Sequence, residues 1–466
     1  MKKRLLAFVL FLVDFIAAQL VWALFYEFYG LKPENYQLLP GEVIPWLIWL
    51  MPISWSIIYF LGGLYDDARR KTRINEISNV VKVSVVGAGF VILLIVLAHK
   101  EGILYAQSSL IVRYFITHIL IISFFKTLVL SVYKILVSRG YVTYKVLIIG
   151  SSDRALSLYE ELKEINFSLG YEFLGYVQST SDENDHLNGK LPRLGSVGNF
   201  YDYLNNHEVD QVFMAINPTD HESVSSIIVA LTDFPKIHIS LMPDIYQVLL
   251  GSSSINHVQG IPLIEIKEKL MPVWQMVFKR VFDIVLSFSV LLIGLPFYLT
   301  IGFITAATSE GPMFFKQVRI GKNKKPFYIY KFRSMFTDAE KNGPALSSEN
   351  DPRITSWGKF MRKTRIDELP QFYNVLIGDM SIVGPRPERK FFIDQIQTKA
   401  PYYNLLFRAR PGITSLGQVK YGYAENVGQM VKRLQFDLNY IENCSLALDF
   451  RIMAMTILII VQGRGK

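Results

Sequence analysis

Four apolar stretches within the first 140 residues constrain the fold of this chain more than any other feature. They are residues 5–28, 44–64, 80–98 and 110–137. Each reaches or approaches the roughly 20 apolar residues that a helix needs to cross the hydrocarbon core of a bilayer. We therefore predict a four-helix transmembrane bundle over residues 1–140. The composition agrees, since 51% of all residues are hydrophobic and only 19% are charged.

The basic residues between these stretches predict their orientation. Four Lys or Arg residues lie at 66–78, whereas the loops near Lys32 and Lys100 carry one each. The positive-inside rule therefore places both ends of the bundle in the cytoplasm. No small-residue cleavage site of a signal peptide follows the basic start at 1–4, so we predict a retained anchor.

Several charged or titratable residues fall within or at the edges of the predicted spans. They are Asp14, Arg113, His118 and Lys126. Charges inside a membrane can mark a transport path, but these four do not form a periodic relay. Pairing between helices, or snorkelling to the interface, is therefore the favoured interpretation.

A Rossmann-like parallel-sheet module is predicted at residues 144–250. Apolar runs at 145–150, 211–216 and 238–242 alternate with helical patterns at 155–162 and 223–231. Alternation of this kind indicates a parallel sheet with flanking helices. The first strand ends at Gly150, but the second and third glycines of the dinucleotide-binding fingerprint are absent. We therefore expect a structural or docking role for the module rather than a bound nucleotide.

The residues suited to phosphate chemistry are concentrated between Asp351 and Pro387. Basic residues lead into two adjacent carboxylates, Asp367 and Glu368, and Arg386 follows between two prolines. Arginines can hold phosphate oxygens in bidentate fashion, and neighbouring carboxylates need a proton, a base or a divalent metal to relieve their repulsion. One carboxylate could be a nucleophile and the other a metal ligand or base. On spacing alone, the pair is equally compatible with the start of a helix.

Four blocks around these carboxylates resemble the signature of one protein family. They read GPMFFKQVRIG, YKFRSM, DELPQFYNVLIGDMSIVGPRP and RPGIT. In this order and spacing they resemble the bacterial sugar transferases, which are monotopic phosphoglycosyl transferases. These enzymes move a sugar 1-phosphate from a nucleotide sugar onto polyprenol phosphate. The resemblance covers residues 279–420.

The resemblance implies a large-form polyprenyl-phosphate hexose-1-phosphate transferase of the bacterial cytoplasmic membrane. Such an enzyme would begin the repeat unit of an exopolysaccharide, a capsule or a lipopolysaccharide O-antigen. By resemblance, Asp367 attacks the phosphorus next to the sugar of a UDP-sugar, UMP leaves, and polyprenyl (undecaprenyl) phosphate takes the phosphosugar from the aspartate. Mg2+, held by Asp367 and Glu368, would neutralise the pyrophosphate. Glu368 stays open between a base and a metal ligand.

Basic residues and prolines of the same blocks are predicted to bind the substrate phosphates. The candidates are Lys331, Arg333, Arg353, Arg362, Pro385, Arg386, Pro387 and Arg410. We expect arginines among them to stabilise charge that develops on the phosphoryl oxygens.

We predict a helix-rich catalytic domain at residues 270–466, seated on the membrane surface. Trp357, Phe360 and Met361 recur at helical spacing beside basic residues, which is typical of an interfacial helix. The C-terminal apolar stretch at 446–461 contains charges that make another ordinary span unfavourable. The chain as a whole is predicted to be a membrane protein that combines α and α/β parts.

The apolar run at 284–307 decides the topology of this domain. It is long enough to cross the bilayer, but a full crossing would place Asp367 outside the cell, away from cytoplasmic nucleotide sugars. Pro296 favours a kink in the run. The resemblance implies a re-entrant helix at 279–307 that enters and leaves on the cytoplasmic face, with Lys279 and Arg280 at head-group level. A kinked span is the alternative.

One segment departs from the family pattern. After RPGIT many relatives continue with alanine, glutamine, valine and an asparagine-glycine-arginine-asparagine run, whereas this chain has SLGQVKYGYAEN at 415–426. Substrate preference can differ here, because the segment is a reasonable place for sugar or lipid contacts.

Other functional classes are less compatible with the sequence. A transporter would need more spans, while a membrane-anchored nucleotide sensor or polysaccharide-export assembly protein would depend on the module at 144–250. The net charge of +9 suits nucleotide phosphates and anionic lipid head groups, and no nucleic-acid-binding motif accompanies it. The expected partners are therefore a UDP-sugar, polyprenyl phosphate and membrane lipids, not nucleic acid. The oligomeric state stays open, with a homodimer as one alternative.

Overall fold

A computed structural model gives the architecture of most of the chain. It describes residues 2–28, 44–66, 73–97, 101–179, 184–216, 220–231, 233–234, 237–243, 255–258, 261–266, 270–341, 343–346 and 351–462. The helices are α1 (Lys2–Phe28), α2 (Ile44–Leu61), α3 (Arg73–Leu97), α4 (Glu101–Ser138), α5 (Asp153–Leu169), α6 (Phe200–Asn206), α7 (His221–Leu231), α8 (Val273–Ile293), α9 (Leu295–Thr308), α10 (Ser356–Thr364), α11 (Gln371–Ile377), α12 (Lys390–Lys399), α13 (Leu416–Lys420), α14 (Val427–Glu442) and α15 (Leu446–Val461). The strands are β1 (Tyr144–Ile149), β2 (Tyr171–Gln178), β3 (Arg193–Ser196), β4 (Gln211–Met214), β5 (His238–Leu241), β6 (Ile255–Val258), β7 (Ile261–Ile266), β8 (Phe314–Ile320), β9 (Pro326–Phe332), β10 (Ser381–Val383) and β11 (Gly412–Thr414).

Helices α1 to α4 coincide with the four predicted apolar stretches and pack against one another. Among the described residues, Leu5–Leu24 and Ile111–Ser138 are long and apolar enough to cross a membrane. The bent pair α8 and α9 would add a third crossing if it were one span. The structure therefore supports membrane-spanning helices, and the complete four-span bundle stays a prediction.

Charged residues of the bundle pair between helices. Lys126 Nζ on α4 lies 3.0 Å from Asp14 Oδ2 on α1 and 3.3 Å from Glu76 Oε1 on α3. These three side chains are almost fully buried. His118 shares a 2.8 Å hydrogen bond with the Tyr59 hydroxyl. The favoured interpretation of pairing between helices is confirmed for Asp14 and Lys126.

The sheet of the middle module has the strand order β3-β2-β1-β4-β5-β7-β6. Strands β1 to β5 pair in parallel, and β7 and β6 add an antiparallel edge. The predicted parallel sheet is confirmed. The sheet continues to Ile266, beyond the predicted boundary at residue 250, because β6 and β7 complete it.

Other residues of the module pack closely against the turn after β1. A Cβ at Gly150 would lie 2.6 Å from the Ala215 carbonyl oxygen, so a glycine is required there by the approach of the next strand. The His186 N–H donates to the Ser151 carbonyl oxygen at 2.9 Å. Packing within the module is therefore sufficient to explain the glycine.

The catalytic part has its own core and begins with a bent helix pair. Helices α11, α12, α14 and α15 surround the parallel pair β10 and β11. The helix axis bends by 62° between α8 and α9. The break falls at Gly294, where a Cβ would lie 2.4 Å from the Val290 carbonyl oxygen. Pro296 lies in the first turn of α9, a position where its missing N–H costs no helix hydrogen bond.

Polar contacts tie the beginning of α8 to the catalytic core. Lys279 Nζ lies 2.6 Å from Asp449 Oδ2. The Arg280 guanidinium donates to the carbonyl oxygens of Val375 and Leu376 at 2.7 and 3.0 Å, where the end of α11 is partially negative. The charged groups of both residues bind protein partners, and their position at head-group level stays a prediction.

The end of α9 is tied to the same unit. Arg333 donates to the backbone and hydroxyl oxygens of Ser309, and the Trp357 indole N–H donates to the Thr305 hydroxyl at 3.2 Å. Between the two anchors, Ile293 and Phe303 are 74% and 75% exposed. The pair thus presents an apolar bend whose two ends attach to one domain.

The buried triad of Lys126, Asp14 and Glu76 predicts that mutations of its members differ in their effect on stability. Lys126→Met would leave Asp14 and Glu76 buried without their cation, and breaking such a pair typically costs about 3–5 kcal/mol. Glu76→Gln keeps one neutralised pair and should cost less. Thermal unfolding in detergent, with Lys134→Met on the same helix as the matched control, measures the difference. Equal stability of Lys126→Met and the wild type would contradict the importance of the triad.

Candidate active site

The two predicted catalytic carboxylates lie in a short 3-10 turn between α10 and α11. This turn, Ile366–Glu368, begins where α10 ends at Arg365. Arg365 adopts a left-handed conformation with φ +55°, which is uncommon for a residue with a side chain. The strained residue reverses the chain and brings Asp367 and Glu368 inward, so that both are buried.

Three cations from different parts of the domain surround Glu368. Lys331 Nζ, on β9, lies 2.8 Å from Oε1, and Arg386 Nη2 lies 3.5 Å from the same oxygen. Arg365 Nη1 lies 3.4 Å from Oε2. Burial alone would raise the pKa of Glu368, but the three cations outweigh it and hold that pKa well below its usual range. Glu368 is therefore an ionised and weakly basic carboxylate.

Asp367 has the opposite environment although it is the next residue. It is only 6% exposed, and within the described residues its carboxylate makes no hydrogen bond or ion pair. Burial raises the pKa of Asp367 to about 6, with Glu368 adding to the increase and Lys331, Arg362 and Arg386 opposing it. Asp367 is thus mostly ionised at neutral pH, and no described residue forms a hydrogen bond or ion pair with it. When the surroundings shift the pKa values of two carboxylates in opposite directions, the two groups usually have different chemical roles.

The charged groups around Asp367 and Glu368 form a cluster with an excess of positive charge. Arg362 joins it from α10, where its Nε donates to the Ser334 hydroxyl at 2.9 Å. The cluster consists of the cations Lys331, Arg362, Arg365 and Arg386 and the carboxylates Asp367 and Glu368. With all groups ionised, two positive charges remain uncompensated, so the site favours an anion with two negative charges.

The prolines around Arg386 hold it in a fixed frame. The Pro385 carbonyl oxygen accepts from the Gly412 N–H at 2.9 Å. The Pro387 carbonyl oxygen accepts from Arg319 at 3.1 Å. Both contacts are made by the main chain and hold the segment that carries Arg386, and substrate binding by the two prolines stays a prediction.

Three of the predicted substrate-binding arginines make no ion pair with Asp367 or Glu368 in the described part of the chain. Arg333 holds the end of α9, as described above. Arg353 forms a bidentate pair with Asp351, at 2.8 Å from Nε to Oδ1 and 2.6 Å from Nη2 to Oδ2. Arg410 is exposed and has no ion pair with Glu368 in the described part of the chain. The structure therefore brings Lys331, Arg362 and Arg386 together and gives Arg333 and Arg353 other partners.

Two residues that contact the cluster, and one buried residue close to the pair in sequence, were not among the predicted site residues. Arg365 and Tyr423 contact the cluster directly. Gln371 is 2% exposed, and its Nε2 has no hydrogen-bond partner among the described residues. Gln371 is the first residue of α11, and no sequence signal identified it.

A magnesium ion fits Asp367 better than it fits Glu368. In the described residues, no group of three or more Asp, Glu, His or Cys side chains converges in a metal-binding arrangement. Mg2+ commonly takes one or two carboxylates, with waters and substrate phosphates as its remaining ligands. The unpartnered carboxylate of Asp367 suits such a site, whereas the Glu368 oxygens already bind three cations.

Comparison with known proteins places these features in context. A family model described as bacterial sugar transferase matches residues 274–463, and one described as CoA-binding domain matches residues 61–243. The chain is 32% identical over 323 residues to the UDP-glucose:undecaprenyl-phosphate glucose-1-phosphate transferase of Klebsiella pneumoniae, which covers 68% of each chain.

Two further relatives match over about half of each chain. The UDP-N-acetylgalactosamine-undecaprenyl-phosphate N-acetylgalactosaminephosphotransferase of Aeromonas hydrophila is 39% identical over 51% of this chain and 54% of its own. The UDP-glucose:undecaprenyl-phosphate glucose-1-phosphate transferase of Escherichia coli K12 is 33% identical over 54% of each chain. The matches agree with the resemblance carried by the sequence blocks.

Proposed function

This chain belongs to the bacterial sugar transferase family, and we propose that it transfers a sugar 1-phosphate from a UDP-sugar to undecaprenyl phosphate. UMP is released, and the product begins a surface polysaccharide. The names of the relatives support this activity, since they act on UDP-sugars and undecaprenyl phosphate. The observation that carries the proposal is the unpartnered carboxylate of Asp367 inside a cluster with two excess positive charges, which match a nucleotide-sugar pyrophosphate.

In the first step, an Asp367 oxygen forms a bond to the phosphorus next to the sugar, and the bond from that phosphorus to the UMP oxygen breaks. UMP leaves with the electron pair, and the sugar phosphate stays on the aspartate. A carboxylate without hydrogen-bond partners needs little desolvation before it attacks, which favours Asp367 over Glu368 as the nucleophile. The surrounding cations stabilise charge on the phosphoryl oxygens and on UMP.

In the second step, a phosphate oxygen of undecaprenyl phosphate attacks the same phosphorus, and Asp367 leaves as a carboxylate. Neither step requires a proton when the lipid phosphate is a dianion, since each nucleophile and each leaving group is an anion. Glu368 also has a depressed pKa, which makes it a poor base. We therefore assign Glu368 the task of gathering Lys331, Arg365 and Arg386 around the pyrophosphate.

Magnesium is part of this proposal. When bound, Mg2+ would neutralise pyrophosphate charge, and Asp367 is the residue that fits it. Chelation should stop UMP release and added Mg2+ should restore it, whereas full activity in a chelator would contradict the assignment.

For the topology, we propose that α1 to α4 form the four-span bundle and that α8 and α9 re-enter the cytoplasmic face. The two ends of the bent pair are held by the same domain, at Lys279 and at Arg333. The bend between them exposes large apolar side chains. This arrangement supports a shallow entry and return, which keeps Asp367 on the side where nucleotide sugars occur.

For the parallel-sheet module, a bound ligand is a second candidate function, because one matching family model is described as a CoA-binding domain. The turn after β1 gives little support for a pyrophosphate, since Asp153 adds negative charge at the start of α5. Asp233, which follows α7, forms a 2.6 Å ion pair with Lys324 at the tip of the β8–β9 hairpin. We therefore propose that the module docks against the catalytic domain.

The mechanism predicts a covalent intermediate. When UDP-sugar labelled in the phosphate next to the sugar is given without undecaprenyl phosphate, label should appear on the protein, and mass spectrometry should map it to Asp367. Asp367→Asn should abolish both labelling and transfer, because the amide lacks the anionic oxygen. Glu368→Gln should keep the site of labelling but lower kcat/KM about 10- to 100-fold, through loss of charge-assisted contacts.

Asp394→Asn, an exposed carboxylate on α12, is the matched control and should label like the wild type. Label on another residue, or persistent turnover by Asp367→Asn, would refute the aspartyl intermediate. Direct attack by the lipid phosphate would then be the better mechanism.

The proposed topology predicts which cysteines a membrane-impermeant thiol reagent can reach in intact cells. The background variant is Cys444→Ser. Glu208→Cys on the module and Lys316→Cys after the bent pair are at exposed positions. If both face the cytoplasm, the reagent cannot reach them and neither should be labelled. Lys32→Cys, in the predicted external loop, is the positive control. Labelling of Lys316→Cys together with protection of Glu208→Cys would show a complete crossing by α8 and α9.

A further inference from the structure

The aromatic ring of Tyr423 lies over two arginines of the active site. The distance from the ring centroid to Arg365 Cζ is 5.3 Å, and to Arg386 Cζ it is 5.4 Å. Both separations fall within the range of cation–π attraction. Tyr423 belongs to the segment at 415–426, where this chain departs from the family pattern.

Glu368 does not fix these two guanidinium groups by itself. Charge-assisted N–H···O contacts are typically about 2.7–2.9 Å, and Lys331 meets that range at 2.8 Å. Arg365 and Arg386 approach Glu368 only to 3.4 and 3.5 Å. The ring of Tyr423 therefore supplies a second contact that both arginines share.

Ordered elements on either side anchor the main chain at Tyr423. Gly422, with φ +93°, turns the chain directly before Tyr423, and Ala424 is buried directly after it. Asn426 then caps α14 by accepting from the Gln429 N–H at 2.9 Å. The backbone at Tyr423 is thus anchored from outside the carboxylate turn, at the start of α14.

We propose that Tyr423 is a positioning residue that holds Arg365 and Arg386 as a cradle for the pyrophosphate of the nucleotide sugar. This inference rests on the proposed function. The contact uses the face of the ring, and within the described residues the Tyr423 hydroxyl makes no hydrogen bond to either arginine. The pyrophosphate is charged before the reaction starts, so the cradle acts mainly on substrate binding and hence on KM.

Steady-state kinetics of the full-length protein with UDP-sugar and undecaprenyl phosphate test this role. Tyr423→Leu should raise KM for the UDP-sugar about 5- to 30-fold and change kcat less, because the shared ring contact is lost. Tyr423→Phe keeps the ring and should stay near the wild-type KM. Tyr423→Trp should have an equal or lower KM, since indole is the strongest partner of a cation.

Tyr421→Leu is the matched control. Its ring packs on Phe436 with centroids 6.4 Å apart, so its KM should stay near that of the wild type. If Tyr423→Leu does not fold, a Tyr423→Phe or Tyr423→Trp variant with strongly raised KM would still overturn the proposal. An unchanged KM in Tyr423→Leu, or an equal rise in Tyr421→Leu, would also overturn it. Failure of the wild type to release UMP from any UDP-sugar would instead reject the proposed function.

Discussion

The binding of Glu368 by three cations is the interaction on which the active site depends. Lys331 comes from a hairpin strand, Arg365 from the end of α10, and Arg386 from the proline frame after β10. Without a carboxylate among them these partly buried cations would repel one another. The same contacts occupy Glu368, whereas Asp367 makes no hydrogen bond or ion pair among the described residues. Glu368 thus assembles the anion site. Because it takes up the cations, its neighbour Asp367 is the carboxylate available as the nucleophile.

The bent pair α8 and α9 also depends on polar contacts, which hold its two ends while its apolar bend stays exposed. Asp449 looks out of place in an apolar helix, but it neutralises Lys279 at the start of α8. Arg333 serves the end of α9. Two anchored ends and an apolar bend can place the catalytic turn at the membrane surface, where a water-soluble nucleotide sugar and a lipid phosphate can both reach Asp367.

The sequence predicted the elements that have a periodic signal and missed the partners of individual side chains. Apolar runs identified β1, β4 and β5, whereas β2 was missed because only part of it is buried. The carboxylate pair was found from adjacent charges. Residue type alone could not show that Arg353 pairs with Asp351, or that Arg333 holds a helix end. The contact of Tyr423 with both arginines joins segments far apart in the chain, so only the folded structure reveals it.

The pH dependence of kcat/KM for the first half-reaction tests the central claim most directly, because this quantity reports groups of the free enzyme. Since burial raises the pKa of Asp367 to about 6, the rate should fall on acidification through that pH as the nucleophile becomes protonated. Burial also raises the pKa of Asp437 to about 6, so Asp437→Asn must be measured in parallel and should keep the acidic limb. A rate that stays constant down to pH about 4, the ordinary pKa of an aspartate, or a limb that disappears in Asp437→Asn, would contradict the account.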